Sequence, residues 1–200
     1  MAFVDYVPGK EIWECKFVGF KYFKNFFTST DFPRLLRNTL AMSGLNITIG
    51  FLMPIFFAFC LNEVGGTRLK KFVQTASYLP HFISWVVAGT MVTTVLGTDG
   101  VINDLLLALG VSQTRIQFLQ KGEWYWAIIT IVNIWKELGW SAIIYLSAMA
   151  GVDEELCEAG AVDGMGRLDM AIHITLPTIM PTIILLWIMQ VGNILSAGFD

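Results

Sequence analysis

From Leu40 to Leu61 the chain is almost wholly apolar, with Asn46 as the main polar interruption. A helix of that length crosses the roughly 30 Å of a bilayer's hydrocarbon. Three more such stretches follow, Tyr78 to Gly97, Trp124 to Met149 and Ile174 to Leu195. The pattern predicts an all-α, polytopic integral membrane protein with four visible transmembrane helices. Composition agrees. Only 14% of the residues are charged and mean hydropathy is +0.62, whereas soluble domains are roughly a quarter charged.

The connecting segments carry the polar residues. Residues 1–38 interleave aromatics and lysines ("FVGFKYFKNFF"). They read either as an amphipathic segment at the lipid surface or as a packed extramembrane loop and helix. "NEVGGTRLKK" is a short hydrophilic loop, and "VINDLLLALG" is a short amphipathic helix ended by Gly110. Pro80 and His81 open the second span, where a proline in the first turn is tolerated. His81 fits an interfacial hydrogen bonder better than a ligand.

The third stretch is interrupted by "WKELGW", which places Lys136 and Glu137 near the middle of one helix. A charge at the bilayer centre costs about 2.5–3.5 kcal/mol on insertion scales. These groups must therefore face protein, each other or water. Either they serve function, or they form an ion pair with a neighbouring helix, or Lys136 snorkels to the interface.

Several function classes drop out. Net charge is −3, so no basic patch argues for nucleic acid. Cys15, Cys60 and Cys157 have neither disulfide nor zinc spacing. There is no G-x-x-x-x-G-K-[ST] and no H-E-x-x-H. No catalytic residue, metal site or cofactor is expected in this chain, and an enzyme is disfavoured. A membrane receptor or structural membrane protein that needs no ATPase stays open as the alternative to a transporter.

The segment Gly151 to His173 is polar between two greasy ones. Asp153 is placed to cap a helix whose first turn holds Glu154 and Glu155, where the helix dipole favours anions. Leu156, Ala159, Gly160 and Ala161 follow, and Gly164 offers a stop. A short helix of this kind does not span, but it can lie in a partner's groove. Gly164 and Gly166 let the chain turn sharply. Pro177 then frees the carbonyl of His173, and Pro181 that of Pro177, so the last span is expected to bend or begin anew.

At these residues the chain resembles the permease subunits of bacterial binding-protein-dependent ABC importers. Their cytoplasmic motif is E-A-A-x-x-D-G-A, followed by F-x-x-I-x-L-P-x-x-x-P. Glu158, Ala159, Asp163, Gly164, Ile174, Leu176, Pro177 and Pro181 match in register. Gly160 and Met165 stand where the motif has alanine, and Ala171 where it has an aromatic. "LNEVGGTRLKKFVQTASYLPHFISWVV" and "IWKELGWSAIIYLSAMAGVDEELCEAGAVDGMGR" look like the carbohydrate-uptake branch, in particular its polysaccharide and oligosaccharide permeases.

The resemblance implies a six-helix permease, of which one span before residue 1 and one after Asp200 are expected. It implies a multi-pass protein of the bacterial cell membrane, with residues 1–38 extracytoplasmic and residues 39–200 the transmembrane domain. Lys and Arg counts point the other way. Residues 1–38 and 98–123 hold eight, against four in 62–77 and the hinge, which by charge alone puts the hinge outside.

The resemblance also assigns roles. The stretch 151–173 becomes a cytoplasmic coupling loop that docks ATP-binding cassette subunits, which would bind ATP and Mg. Asp153, Glu155, Leu156, Glu158, Ala159, Gly160, Asp163, Gly164 and Gly166 would couple to them, with Pro177 and Pro181 as the hinge. A second permease chain, an extracytoplasmic sugar-binding protein and membrane lipid are the other partners implied. For the sugar path, Asn133, Trp135, Lys136 and Asn193 are candidates, because aromatic faces stack on sugars and polar side chains bond hydroxyls.

Overall fold

The structure, a computed structural model, describes residues 2–9 and 11–192. The chain divides into two compact units, residues 1–41 and 42–200.

In the first unit, β1 (Val4–Asp5) pairs antiparallel with β2 (Lys16–Phe17), Val4 opposite Phe17. Helix α1 (Lys21–Phe27) follows. Phe3 packs on Phe20 and Phe23 at centroid distances of 5.5 and 5.3 Å. Tyr22 donates its hydroxyl to Asp5 Oδ1 at 2.6 Å, and this bond above all raises the phenol's pKa over its ordinary value. The hairpin and helix are compatible with both readings of this segment. Trp13, Phe17 and Phe20 remain exposed.

Helix α2 (Phe32–Leu45) runs through a π-helical turn (Asn46–Gly50) into α3 (Phe51–Asn62). Helix α4 (Thr67–Tyr78), a 3₁₀ turn (Leu79–Phe82), α5 (Trp85–Leu96) and α6 (Val101–Ala108) come next. Then come α7 (Gly122–Met149) and α8 (Glu154–Val162). Finally α9 (Arg167–Met170) passes through a second π turn (Ala171–Thr175) into α10 (Leu176–Gly192). Among the described residues, four stretches are long and apolar enough to cross a membrane: Phe32–Asn62, Trp85–Ala108, Gly122–Met149 and Arg167–Gly192.

Three of these start away from the sequence expectation, the first at Phe32 and not at Leu40. The second does not begin at Tyr78, which closes α4. Ile83 is extended (ψ 132°), and Ser84 restarts the helix by accepting from the Val87 N–H at 3.3 Å. Pro80 and His81 therefore sit in the turn before the span. The fourth begins at Arg167, inside the stretch read as polar hinge, because Gly166 already starts the new helix there.

Nor does the last helix break at its prolines. A proline lacks an N–H and crowds the carbonyl four residues back. For Pro177 that carbonyl is His173's, and for Pro54 in α3 it is Gly50's; each lies within a π turn. The backbone widens for one turn and continues. Thr178 donates to Ile174 O and Thr48 to Gly44 O, both at 2.7 Å, supplying side-chain partners where the ladder is disturbed.

The core lies where α3, α7 and α10 meet, around Ala58, Ala142, Tyr145, Met149 and Ile179. Small residues permit the close approach that membrane helices use in place of a hydrophobic drive. Gly139 is the extreme case, since a Cβ there would collide with the backbone of Ser77 and Tyr78. Helices α4 and α7 cross at that point with almost nothing between them.

Candidate functional site

Helix α8 forms as its composition dictates. Asp153 caps it, accepting from the Glu155 N–H at 3.0 Å, and Glu154 and Glu155 occupy the positive end of the dipole. The helix closes where Met165 N–H donates to Gly160 O at 2.9 Å and Gly164 N–H to Ala161 O at 3.1 Å. That closure needs a left-handed residue, and Gly164 supplies it at φ +80°. Gly166 has an ordinary φ of −74°, so it is not required for its backbone freedom. Its N–H instead donates to Asp169 Oδ2 at 3.2 Å.

Gly160 is the one buried residue of α8. A Cβ on it would lie 3.0 Å from both Met165 Sδ and Ile174 Cδ1. This accounts for the two departures from the motif together: glycine at 160 makes the room that methionine at 165 fills. Through Met165 and Ile174 the helix rests on the start of the last span. Leu156, Glu155, Glu158, Ala159 and Val162 remain exposed on the rest of its surface, with Val162 at 88%. Arg167 Nη1 lies 3.9 Å from Glu63 Oε2, so the end of α3 and the start of the last span share one end of the bundle.

The second polar feature lies halfway along α7. Lys136 is buried and donates to the backbone carbonyl of His81 at 2.9 Å and to Glu137 Oε1 at 3.3 Å, with its ammonium 5.0 Å from the centre of the Trp85 ring. His81 donates from Nδ1 to Glu137 Oε2 at 2.8 Å and stacks on Trp140 at 4.5 Å. The ion pair that Lys136 forms is therefore within α7 itself, with Glu137, and not with a neighbouring helix; its link across to the turn before α5 is the hydrogen bond to the His81 carbonyl. Breaking the α4–α5 path around Ile83 leaves a turn carbonyl to be satisfied, and Lys136 satisfies it while Glu137 balances the charge.

These groups border a cavity of about 880 Å³ whose wall includes Asn46, Trp85, Tyr125, Asn133, Tyr145 and Gln190. Asn133 donates to Asn46 Oδ1 at 2.9 Å. Of the candidates for a sugar path, Asn133 and Lys136 line the cavity. Trp135 is not among the lining residues and is 41% exposed. Asn193 lies outside the described residues. Asn46, His81, Tyr125 and Gln190 were not singled out for this wall. The signal available for Asn46 and Asn133 was that each is an amide set in an apolar run.

The chain is similar to known proteins. Protein LplB of Bacillus subtilis (strain 168) is 43% identical over 201 residues, covering 100% of this chain and 63% of that protein. The polygalacturonan/rhamnogalacturonan transport system permease protein YteP of the same organism is 44% identical, covering 100% and 62%. A chain in the crystal structure of a bacterial ABC transporter involved in the import of the acidic polysaccharide alginate superposes with a TM-score of 0.87 at 43% identity, over 92% of this chain and 64% of that one. The chain therefore spans a little under two thirds of the length of these relatives. Residues 46–198 match the family described as binding-protein-dependent transport system inner membrane component. With the four apolar helices and the short helix between the last two, this places the chain in that family of membrane proteins.

Proposed function

We propose that this chain forms the transmembrane core of a permease subunit of an ATP-driven carbohydrate importer, and that α8 is its coupling helix. The observation that carries the reading is the seat of α8. It is a capped helix between two spans, joined to the last one through Gly160, with its remaining surface open to a partner.

In this reading ATP-binding cassette subunits hold ATP and Mg and hydrolyse the nucleotide; the permease chain does not. Glu158 and its neighbours Leu156 and Ala159 sit in a cleft of that subunit. Asp153 and Glu155 fix the helix start, and Asp163, Gly164 and Gly166 form the elbow behind it. The widened segment before Pro177 and Pro181 carries the motion into the span. Residues 1–38 face outward and the coupling loop faces the cytoplasm. ATP shifts the inward–outward equilibrium only as far as its subunit favours one conformation.

A second permease chain and an extracytoplasmic sugar-binding protein complete the assembly. The relatives support the substrate class, since one is described as a polygalacturonan/rhamnogalacturonan permease and another belongs to an alginate importer. The cavity beside Asn46 and Asn133 offers amides, rings and hydroxyls, the groups a saccharide needs, and its size is typical of small-molecule sites, roughly 300–1,000 Å³. The test is uptake by the complete transporter in vesicles. Glu158→Lys should abolish sugar uptake while ATP hydrolysis continues, and undiminished uptake contradicts the assignment.

A further inference from the structure

Helix α6 is apolar on its outer side as well as its inner one, where Ile102, Leu106 and Leu107 are half-buried. Its one buried residue is Asn103, which donates from Nδ2 to Gly97 O at 3.0 Å and Ile116 O at 2.9 Å, and accepts from the Ile116 N–H at 2.8 Å. Its outer stripe is Val101, Leu105 and Leu109, spaced four apart and 57%, 51% and 74% exposed. A helix whose outer side faced water would carry polar residues along that stripe. The one acid beside the stripe, Asp104, is paired with Arg115 at 3.1 Å, and Arg115 also binds Asp99 at 3.2 Å and the Thr98 carbonyl at 2.8 Å. The segment is cross-braced, so the stripe is held outward.

The position of α6 says what covers it. It lies between the end of α5 and the start of α7. The 28 residues of α7 are about 42 Å long, so its first turn and α8 stand at opposite ends. That first turn carries exposed Trp124, with Phe118 edge-on to it at 5.7 Å, while Tyr125 beside it borders the cavity. An exposed Trp at a span's end marks the headgroup level.

We propose that α6, although the apolar stretch Trp85–Ala108 runs on through it, turns out of the crossing between Gly97 and Gly100 and is an interfacial anchor. Its Val101–Leu105–Leu109 stripe is seated in the headgroup–acyl boundary of the leaflet opposite α8, and the Asn103–Arg115 knot fixes the elbow between α5 and α7 against that lipid surface. The proposal goes beyond the importer reading and does not depend on ATP coupling.

The test uses the full transporter in phosphatidylcholine nanodiscs. Its native cysteines are replaced, and a nitroxide is placed at Leu105→Cys, Leu109→Cys or Asp99→Cys in turn. Collision rates with oxygen and with a water-soluble nickel chelate are compared. The ratio of oxygen to nickel collisions should exceed one at Leu105 and Leu109 and fall below one at Asp99. A ratio below one at Leu105 and Leu109 overturns the proposal, because water then bathes the stripe. Low collision with both agents overturns it too, because a protein surface then covers the stripe.

Discussion

The ammonium of Lys136 donates to the backbone carbonyl of His81 across 2.9 Å, tying the middle of α7 to the turn that precedes α5. Removing it leaves a carbonyl and a carboxylate without their shared cation. Lys136→Met should lower the unfolding free energy by about 1–3 kcal/mol. Adding Glu137→Gln should recover part of the loss, since the second change removes the unpaired charge. Denaturation of the purified protein in detergent measures both. Wild-type stability in Lys136→Met would show that the contact is incidental.

Gly139 tests the crossing of α4 and α7. Its Cβ position is occupied by backbone, which cannot swing aside as a side chain can. Gly139→Ala should destabilise by about 1–3 kcal/mol, the usual penalty for overpacking, and Gly139→Val by more. Thermal unfolding of the two variants checks the order. An alanine variant as stable as the parent would mean the helices are further apart.

The Gly160–Met165 pair predicts a coupled response. Gly160→Ala presses on Met165 Sδ, a movable atom, so its effect should be mild. Gly160→Ala with Met165→Ala restores both motif alanines and should be more stable than the sum of the single changes. A double-mutant cycle should give a coupling of about 0.5–1 kcal/mol. Strict additivity would sever the link drawn between these residues.

Gly164 is the elbow behind α8, at φ +80°. Proline locks φ near −65° and cannot adopt this turn. Gly164→Pro should therefore uncouple ATP hydrolysis from uptake, while Gly164→Ala, which strains the backbone by about 1 kcal/mol, should retain part of the transport. Gly166→Ala, at an ordinary φ, should be the milder change of the two glycines. Parallel assays of hydrolysis and uptake separate the outcomes.

The parts of this fold legible in the sequence are those written as composition. The apolar runs located four spans, and Asp153, the two glutamates and Gly164 delimited α8 to within a residue or two. What was hidden depends on partners distant in the chain. The "WKELGW" interruption marked a polar spot but not its partner, because His81 lies 55 residues away. Gly139 stood in that same stretch, and its role rests on the backbone of α4. Pro177 correctly marked a disturbed ladder. Whether the helix would break or widen was settled by its surroundings, and Pro54, the same device in α3, passed unremarked in its apolar run.

The assignment of α8 as a coupling helix rests on where α8 lies and what holds it. A cysteine placed at Glu155 in the complete transporter, in intact cells and in permeabilised ones, decides both. It should resist a membrane-impermeant maleimide until the cells are opened, and a short bifunctional reagent should then join it to the ATP-hydrolysing subunit. Labelling from outside intact cells, with no cross-link to that subunit, would contradict the assignment of α8 as the coupling helix.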